Sequence, residues 1–253
     1  MGTEARRARI AAELDQLGFM RVPDIAERFA CSLATARRDV QALAAAGRIT
    51  RSHGGAMPIY APLPVGGAAG ENDPLLAEKQ RIAQAAALLI CDGETVGLSG
   101  GTTTHEVARC LRGRSVGAVT NAVDLALELA ASPGPRVMLV GGVLDYAHGH
   151  ELLGALTERM LASLHMDVLF LSVNGISAQA GVTIIGELNA QVMRVMAGRA
   201  RRVIVVADHT KIGRTSLSPL IPLAAIDTFI TDAHGPDDEL DAIRAVGIRV
   251  IEA

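Results

Sequence analysis

The chain has no tryptophan, and only two tyrosines and four phenylalanines among its 253 residues. So few rings argue against a stacking platform for single strands or RNA, which is built from aromatic side chains. Lysine is equally scarce, with Lys79 and Lys211 alone. The three cysteines, Cys31, Cys91 and Cys110, are widely spaced and form no C-x-x-C. Neither a disulfide framework nor a zinc finger is therefore expected. No apolar run reaches about 18 residues, and no amino-terminal stretch resembles a signal peptide, so the expected location is cytoplasmic and no membrane partner is expected. There is no internal repeat and no low-complexity tract.

What is present begins with Ser32–Ala56, SLATARRDVQALAAAGRITRSHGGA. Ser32 is placed to cap a helix by accepting the backbone N–H of Ala34 or Thr35. Leu33, Ala36, Val40 and Leu43 recur at the spacing of one buried stripe, while Arg37, Arg38 and Gln41 fall off it and face outward. Gly47 stands where a C′ glycine ends a helix. A basic strand follows (Arg48, Arg51, His53) and ends in Gly54–Gly55, where backbone can approach another chain closely. Upstream, Ile10, Leu14 and Leu17 mark a first helix ending at Gly18, and Val22-Pro23 opens a second that runs through Phe29. Three short helices and a hairpin within residues 1–57 make a winged helix-turn-helix, a reader of double-stranded DNA. The candidate DNA contacts are Ser32, Thr35, Arg37, Arg38, Gln41, Arg51, His53 and Gly54. Residues 1–57 hold nine Lys and Arg against six Asp and Glu, a balance of +3, whereas the rest of the chain stands at −6. A basic head on an acidic body suits a DNA reader with a separate second domain. One such head of modest charge binds weakly, which implies a homo-oligomer, a dimer or tetramer.

Residues 58–73, rich in proline and glycine, read as a linker. From Pro74 to Ala253 short apolar runs alternate with helical segments, and 49% hydrophobic content secures a core. The expected strands are Thr95–Leu98, Val116–Val119, Val137–Val140, Val168–Val173, Val203–Ala207, Asp227–Thr231 and Ile248–Ile251. Helices are expected over Leu75–Ile90, Thr103–Leu111, Ala122–Ala131, Leu152–Leu164, Asn189–Ala200 and near Asp237–Ala245. This is a doubly wound α/β domain with a mostly parallel sheet covered on both faces.

Ligands of such sheets gather at the carboxyl ends of the strands. There the chain carries Ser99-Gly100-Gly101-Thr102-Thr103-Thr104, between a strand and a helix. Paired glycines let backbone N–H groups converge, threonines add hydroxyls and the helix start favours negative charge, which makes an anion site suited to phosphate. It is neither a Walker A loop nor a G-x-G-x-x-G fingerprint, so nucleotide hydrolysis is unsupported. Asn121, Gly142, Asn174, Asp208 and Lys211 follow other strands and complete the candidate effector site with Ser99, Gly101, Thr102, Thr103 and Thr104. His148-Gly149-His150-Glu151 matches no standard metal spacing and reads as a polar loop lining the pocket. No metal, cofactor or catalytic residue is expected.

Over nearly its whole length the chain resembles the DeoR-type transcriptional regulators. The resemblance rests on Ser32, Thr35, Arg37-Arg38-Asp39 and His53-Gly54-Gly55-Ala56 in the head. In the body it rests on Glu78-Lys79, Ile82-Ala83, Asp92-Gly93, Gly101-Thr102-Thr103, Thr120-Asn121, Gly141-Gly142 and Asp208 through Gly213. It implies a sugar-phosphate-sensing domain similar in fold to ribose-5-phosphate isomerase and CoA transferases, with the GTT loop, Asn121, Gly142 and Lys211 holding the effector. Three positions depart from the family pattern. Ser99-Gly100 stand where Asp-Ser is usual, Ala36 replaces a common isoleucine, and Asn189 replaces a glutamate. Loss of the acid at position 99 implies a preference for a more anionic effector. The reading is a repressor controlled by a phosphorylated sugar or related metabolite. The alternative is an isomerase-like enzyme with an appended helical domain, for which Glu187 and Asp208 are the conceivable bases.

Overall fold

The computed structural model describes residues 2–17, 19–52, 55–58, 73–145, 150–232 and 236–253. They fall in two compact units, Met1–Ala61 and Pro62–Ala253. His53, Gly54, His148, Gly149 and nearly all of the expected linker lie outside the described residues.

The first unit runs α1 (Thr3–Leu17), β1 (Met20–Arg21), α2 (Val22–Arg28), α3 (Leu33–Ala45), β2 (Ile49–Ser52) and β3 (Gly55–Pro58). Ser32 has extended backbone and its hydroxyl accepts the Thr35 N–H at 3.2 Å, so α3 starts where its cap dictates. It ends as a Schellman turn. Gly47, at φ +64°, donates its N–H to Ala44, and Arg48 donates to Leu43. A Cβ at position 47 would strain that left-handed backbone. Ile10, Leu14, Ile25, Val40, Leu43 and Ile49 close a single small core. Each such side chain contributes roughly 1.5–3 kcal/mol on burial. Leu33 departs from the expected stripe: it is 49% exposed, and Asp39 is buried instead. Ala36, Val40 and Leu43 are buried as the stripe requires, and Asp39 joins them because two arginines of α1 pair with it. The three strands form a sheet of order β1-β3-β2, with the β2–β3 hairpin in register from Ile49↔Pro58 to Ser52↔Gly55.

The second unit runs α4 (Leu76–Ala87), β4 (Thr95–Leu98), α5 (Thr102–Cys110), β5 (Gly117–Thr120), α6 (Val123–Ala130) and β6 (Arg136–Leu139). It continues with β7 (Val143–Asp145), β8 (Glu151–Leu153), α7 (Ala155–Ala162), β9 (Met166–Ser172), β10 (Gly175–Ser177) and β11 (Gly181–Ile184). It closes with α8 (Glu187–Gly198), β12 (Ala200–Val206), β13 (Ser218–Ile221), β14 (Thr228–Thr231), α9 (Asp237–Ala245) and β15 (Arg249–Glu252). Seven strands pair in the order β15-β14-β12-β9-β4-β5-β6, every pair parallel. Both faces are covered, as continuous apolar strands require. Val168 and Phe170 of β9 join one core with Ile82, Val107 and Leu125. Leu169 and Leu171 point the other way and pack with Leu161, Val192 and Ile243.

Two parts differ from expectation. The apolar run from Leu152 opens as strand β8, paired with β7, and becomes helical only after Gly154. A short apolar run is compatible with either element, and here pairing decides. Strands β10, β11 and β13 form a separate antiparallel sheet that the α/β pattern does not reveal.

Candidate functional site

On the head, side chains sort by what already holds them. Arg6 and Arg7 donate from Nε to Asp39 at 2.6 and 2.8 Å, Arg21 pairs with Asp24, and Arg28 pairs with Glu13. Burial pushes the Asp39 carboxyl up, but the hydrogen bonds and charges of Arg6 and Arg7 outweigh it and hold Asp39 below its usual range. Arg37, Arg38 and Gln41 lie exposed on the outer face of α3, and Arg51 lies exposed on β2. Among the described residues neither Arg37 nor Arg38 makes an ion pair, so both guanidinium groups face solvent uncommitted. Ser32 and Thr35 bond each other at 2.9 Å at the start of the same helix. A helix carrying two unengaged arginines, in a unit that also exposes Arg51 on β2, has the shape and charge to enter a major groove. In the sequence Asp39 is visible only as part of a motif. Its clamp on α1 needs the tertiary structure to be seen.

On the α/β unit, the parallel sheet brings every strand-end loop to one edge. β4 and β9 are neighbours, yet the chain leaves β4 toward β5 and β6 on one side and returns through β9 to β12 on the other. That reversal is a topological switch point, where open α/β sheets bind ligands. The Ser99–Thr104 loop sits on it. Gly101, at φ +142°, starts α5, and a Cβ there would overlap the Ser172 side chain at the end of β9. Thr102 is exposed; Thr103 and Thr104 are buried, with Thr104 Oγ1 donating to the Gly101 carbonyl at 3.0 Å. Ser99 is fully buried. Its hydroxyl donates to the Gly100 carbonyl at 3.2 Å and accepts the Ser172 N–H at 3.0 Å, so it braces the loop from beneath.

The remaining expected residues divide in two. Asn121 is buried, donates to the Leu152 carbonyl at 3.3 Å and leaves Oδ1 without a hydrogen-bond partner. Lys211 is partly buried and makes no ion pair among the described residues. Burial pushes its ammonium pKa down, Asp208 and Asp73 oppose that, and the positive charges of Lys79 and Arg214 add to it. By contrast, Asp208 caps the turn His209–Lys211 through the Thr210 N–H, and Asn174 accepts the Ile185 N–H at 3.1 Å. Gly142 is required by Thr157, whose Oγ1 a Cβ would overlap. Those three shape the edge.

Sequence reasoning missed several residues here. Lys79, buried and paired with Asp73, carries a charge that acts on Lys211, so the two lysines of the chain share one electrostatic neighbourhood. Their scarcity was the signal. His209 places its N–H and Nδ1 against the buried Asp232 carboxylate, each at 2.6 Å. His150 turns to Asp124 at 3.0 Å, whereas Glu151 points to the loop, where it bonds Asn189 and the Gly100 backbone. Burial pushes its carboxyl up to about 7 against those two hydrogen bonds, and Asp145 adds to the rise. The acid expected to be missing beside the loop is therefore supplied from β8. Of the two conceivable catalytic bases, Glu187 is exposed and paired with Arg194, and Asp208 is engaged in its cap. Among the described residues no cluster of three His, Cys, Asp or Glu side chains could hold a metal.

Comparison with known proteins accounts for both units. Residues 6–59 match the DeoR-like helix-turn-helix domain, and residues 76–233 match the DeoR C terminal sensor domain. The chain is 32% identical over 248 residues to the HTH-type transcriptional regulator GlpR of Haloferax volcanii, covering 98% of this chain and 96% of that one. It is 34% identical over 234 residues to the transcriptional repressor AccR of Agrobacterium fabrum, covering 91% and 90%. A ribose 5-phosphate isomerase from Methanocaldococcus jannaschii aligns over 53% of this chain and 52% of its own, at 16% identity and a TM-score of 0.38. With both domain matches in order along one chain, the protein belongs to the DeoR family of transcriptional regulators and is not an enzyme.

Proposed function

We propose that this regulator is a cytoplasmic repressor that binds operator DNA through α3 and the β2–β3 wing, and that a phosphorylated sugar or related anionic metabolite controls that binding. The observation that carries the effector half is the cation group around Lys211. Lys79 and Arg214 both act on Lys211 at the carboxyl edge of the sheet, where burial already disfavours its charge. An anion seated there offsets the positive charges acting on Lys211 and favours its charged form. The Gly101–Thr104 loop on the same edge supplies amide and hydroxyl donors for phosphate. Asn121, with an unpartnered acceptor, is suited to a sugar hydroxyl. Arg37, Arg38, Gln41 and Arg51 read DNA in this account, assisted by Ser32 and Thr35; His53 and Gly54, outside the described residues, are proposed as further contacts. Two heads on paired sensor units would engage two half-sites, so the binding species is a dimer or larger. The test is a thermal-shift screen of phosphorylated sugars against their dephosphorylated parents, followed by DNA binding with each hit. Stabilisation by phosphates and not by parents supports the reading; equal stabilisation by both overturns the phosphate role.

A further inference from the structure

The resident group at the anion loop is Glu151. It is buried at the start of β8, its Oε2 accepts from Asn189 on α8, and its carboxylate takes a hydrogen bond from the Gly100 backbone. Gly100 has no Cβ, and one built there would overlap Glu151 Oε1. The carboxylate thus occupies space that a glycine leaves open, at the very start of the loop. β7 brings Asp145, the register partner of Glu151, and α8 brings the neutral Asn189. His150, next in the chain, faces Asp124 instead.

We propose that Glu151 sets the selectivity of this loop as its built-in anion, so that an anionic ligand entering the loop is bound together with one solvent proton that neutralises the carboxylate. The inference rests on the reading of Gly101–Thr104 as the effector's anion site. A second negative charge close to a buried carboxylate raises the cost of keeping both ionised. The protein answers by protonating the weaker acid, and Glu151 is already poised for it at about 7. Proton and anion then favour each other reciprocally. The ligand-bound carboxyl titrates above the free one, so anion affinity is full below neutrality and falls as pH rises through 7 and beyond. A neutral ligand has no such dependence.

Sulfate is the probe of choice, because it stays divalent across the whole range while a phosphate monoester titrates near pH 6. Its binding to the full chain is followed by the amide signals of Gly100–Thr104, in wild type and Glu151→Gln. Near pH 6 the two should bind alike, and near pH 8.5 the variant should bind about tenfold tighter, one pKa unit of coupling. The ratio cancels titration of Lys211, which both proteins share. A ratio that does not change with pH, or a variant weaker at both, overturns the proposal while leaving the loop as an anion site. Loop amides unmoved by sulfate in wild type overturn the loop reading and this inference with it. A measurement without any variant is the side-chain carboxyl signal of Glu151 in wild type. Its titration midpoint should rise when sulfate is added, and an unmoved midpoint contradicts the proposal.

Discussion

Arg6 on α1 donates its Nε to Asp39 on α3 at 2.6 Å, and this polar clamp fixes the helix that carries Arg37 and Arg38. Asp39→Ala should destabilise the head by about 1.5–3 kcal/mol, the range for hydrogen bonds to charged groups. Denaturant unfolding followed on the first unit's signals measures it. Because the folded carboxyl is held below its ordinary value, the clamp's contribution is fully present above about pH 4 and is lost as pH falls through the lower, folded value. A variant as stable as wild type at neutral pH would show that the clamp contributes nothing.

Arg37→Ala/Arg38→Ala should abolish sequence-specific DNA binding with the fold intact, since neither side chain touches the core. Removing one bidentate arginine–base pair costs about 1–3 kcal/mol. Arg51→Ala should instead weaken all sequences alike and lower the salt slope by about one, as removal of a phosphate-binding cation does. Anisotropy titrations at several salt concentrations separate the two.

Much of this was legible in the sequence because it is local. The cap at Ser32, the glycine stop at Gly47 and the outward Arg37–Arg38 pair all follow from spacing, and the structure has them in place. The alternation that announces a parallel sheet is local too, and Thr95–Leu98 and Asp237–Ala245 fall where expected. What stayed hidden depends on residues far apart in the chain. Asp39 is buried because it pairs with Arg6, thirty-three positions away. Glu151 reaches Gly100 and Asn189 only through β8, a strand whose apolar run also reads as helix. The antiparallel strands β10, β11 and β13 are each three or four residues long, too short to carry a period of their own.

Lys211→Ala should cost about 1.5–3 kcal/mol of effector binding, the value of a charge-assisted hydrogen bond, and leave operator affinity without ligand unchanged. Calorimetry with the best phosphorylated sugar from the thermal screen provides the number. Equal affinity in the variant would place the phosphate elsewhere.

Gly100→Ala should destabilise the α/β unit, because its Cβ overlaps the Glu151 carboxylate. Combined with Glu151→Ala, the loss should be less than the sum of the two, with a coupling of about 0.5–3 kcal/mol, as for residues that touch. Strict additivity in denaturant unfolding would mean that the two residues do not meet.

The central claim, that ligand at the sheet edge controls DNA binding by the head, is tested most directly on a duplex that the protein itself selects from a random library. Anisotropy on that duplex is read with and without the phosphorylated sugar that gives the largest thermal shift. The account predicts one enriched sequence, bound by wild type and not by Arg37→Ala/Arg38→Ala. It also predicts that the sugar phosphate shifts the affinity of wild type for that sequence and leaves that of Lys211→Ala unshifted at the same concentration. A library that yields no enriched sequence, or an affinity that no stabilising ligand moves, would contradict it.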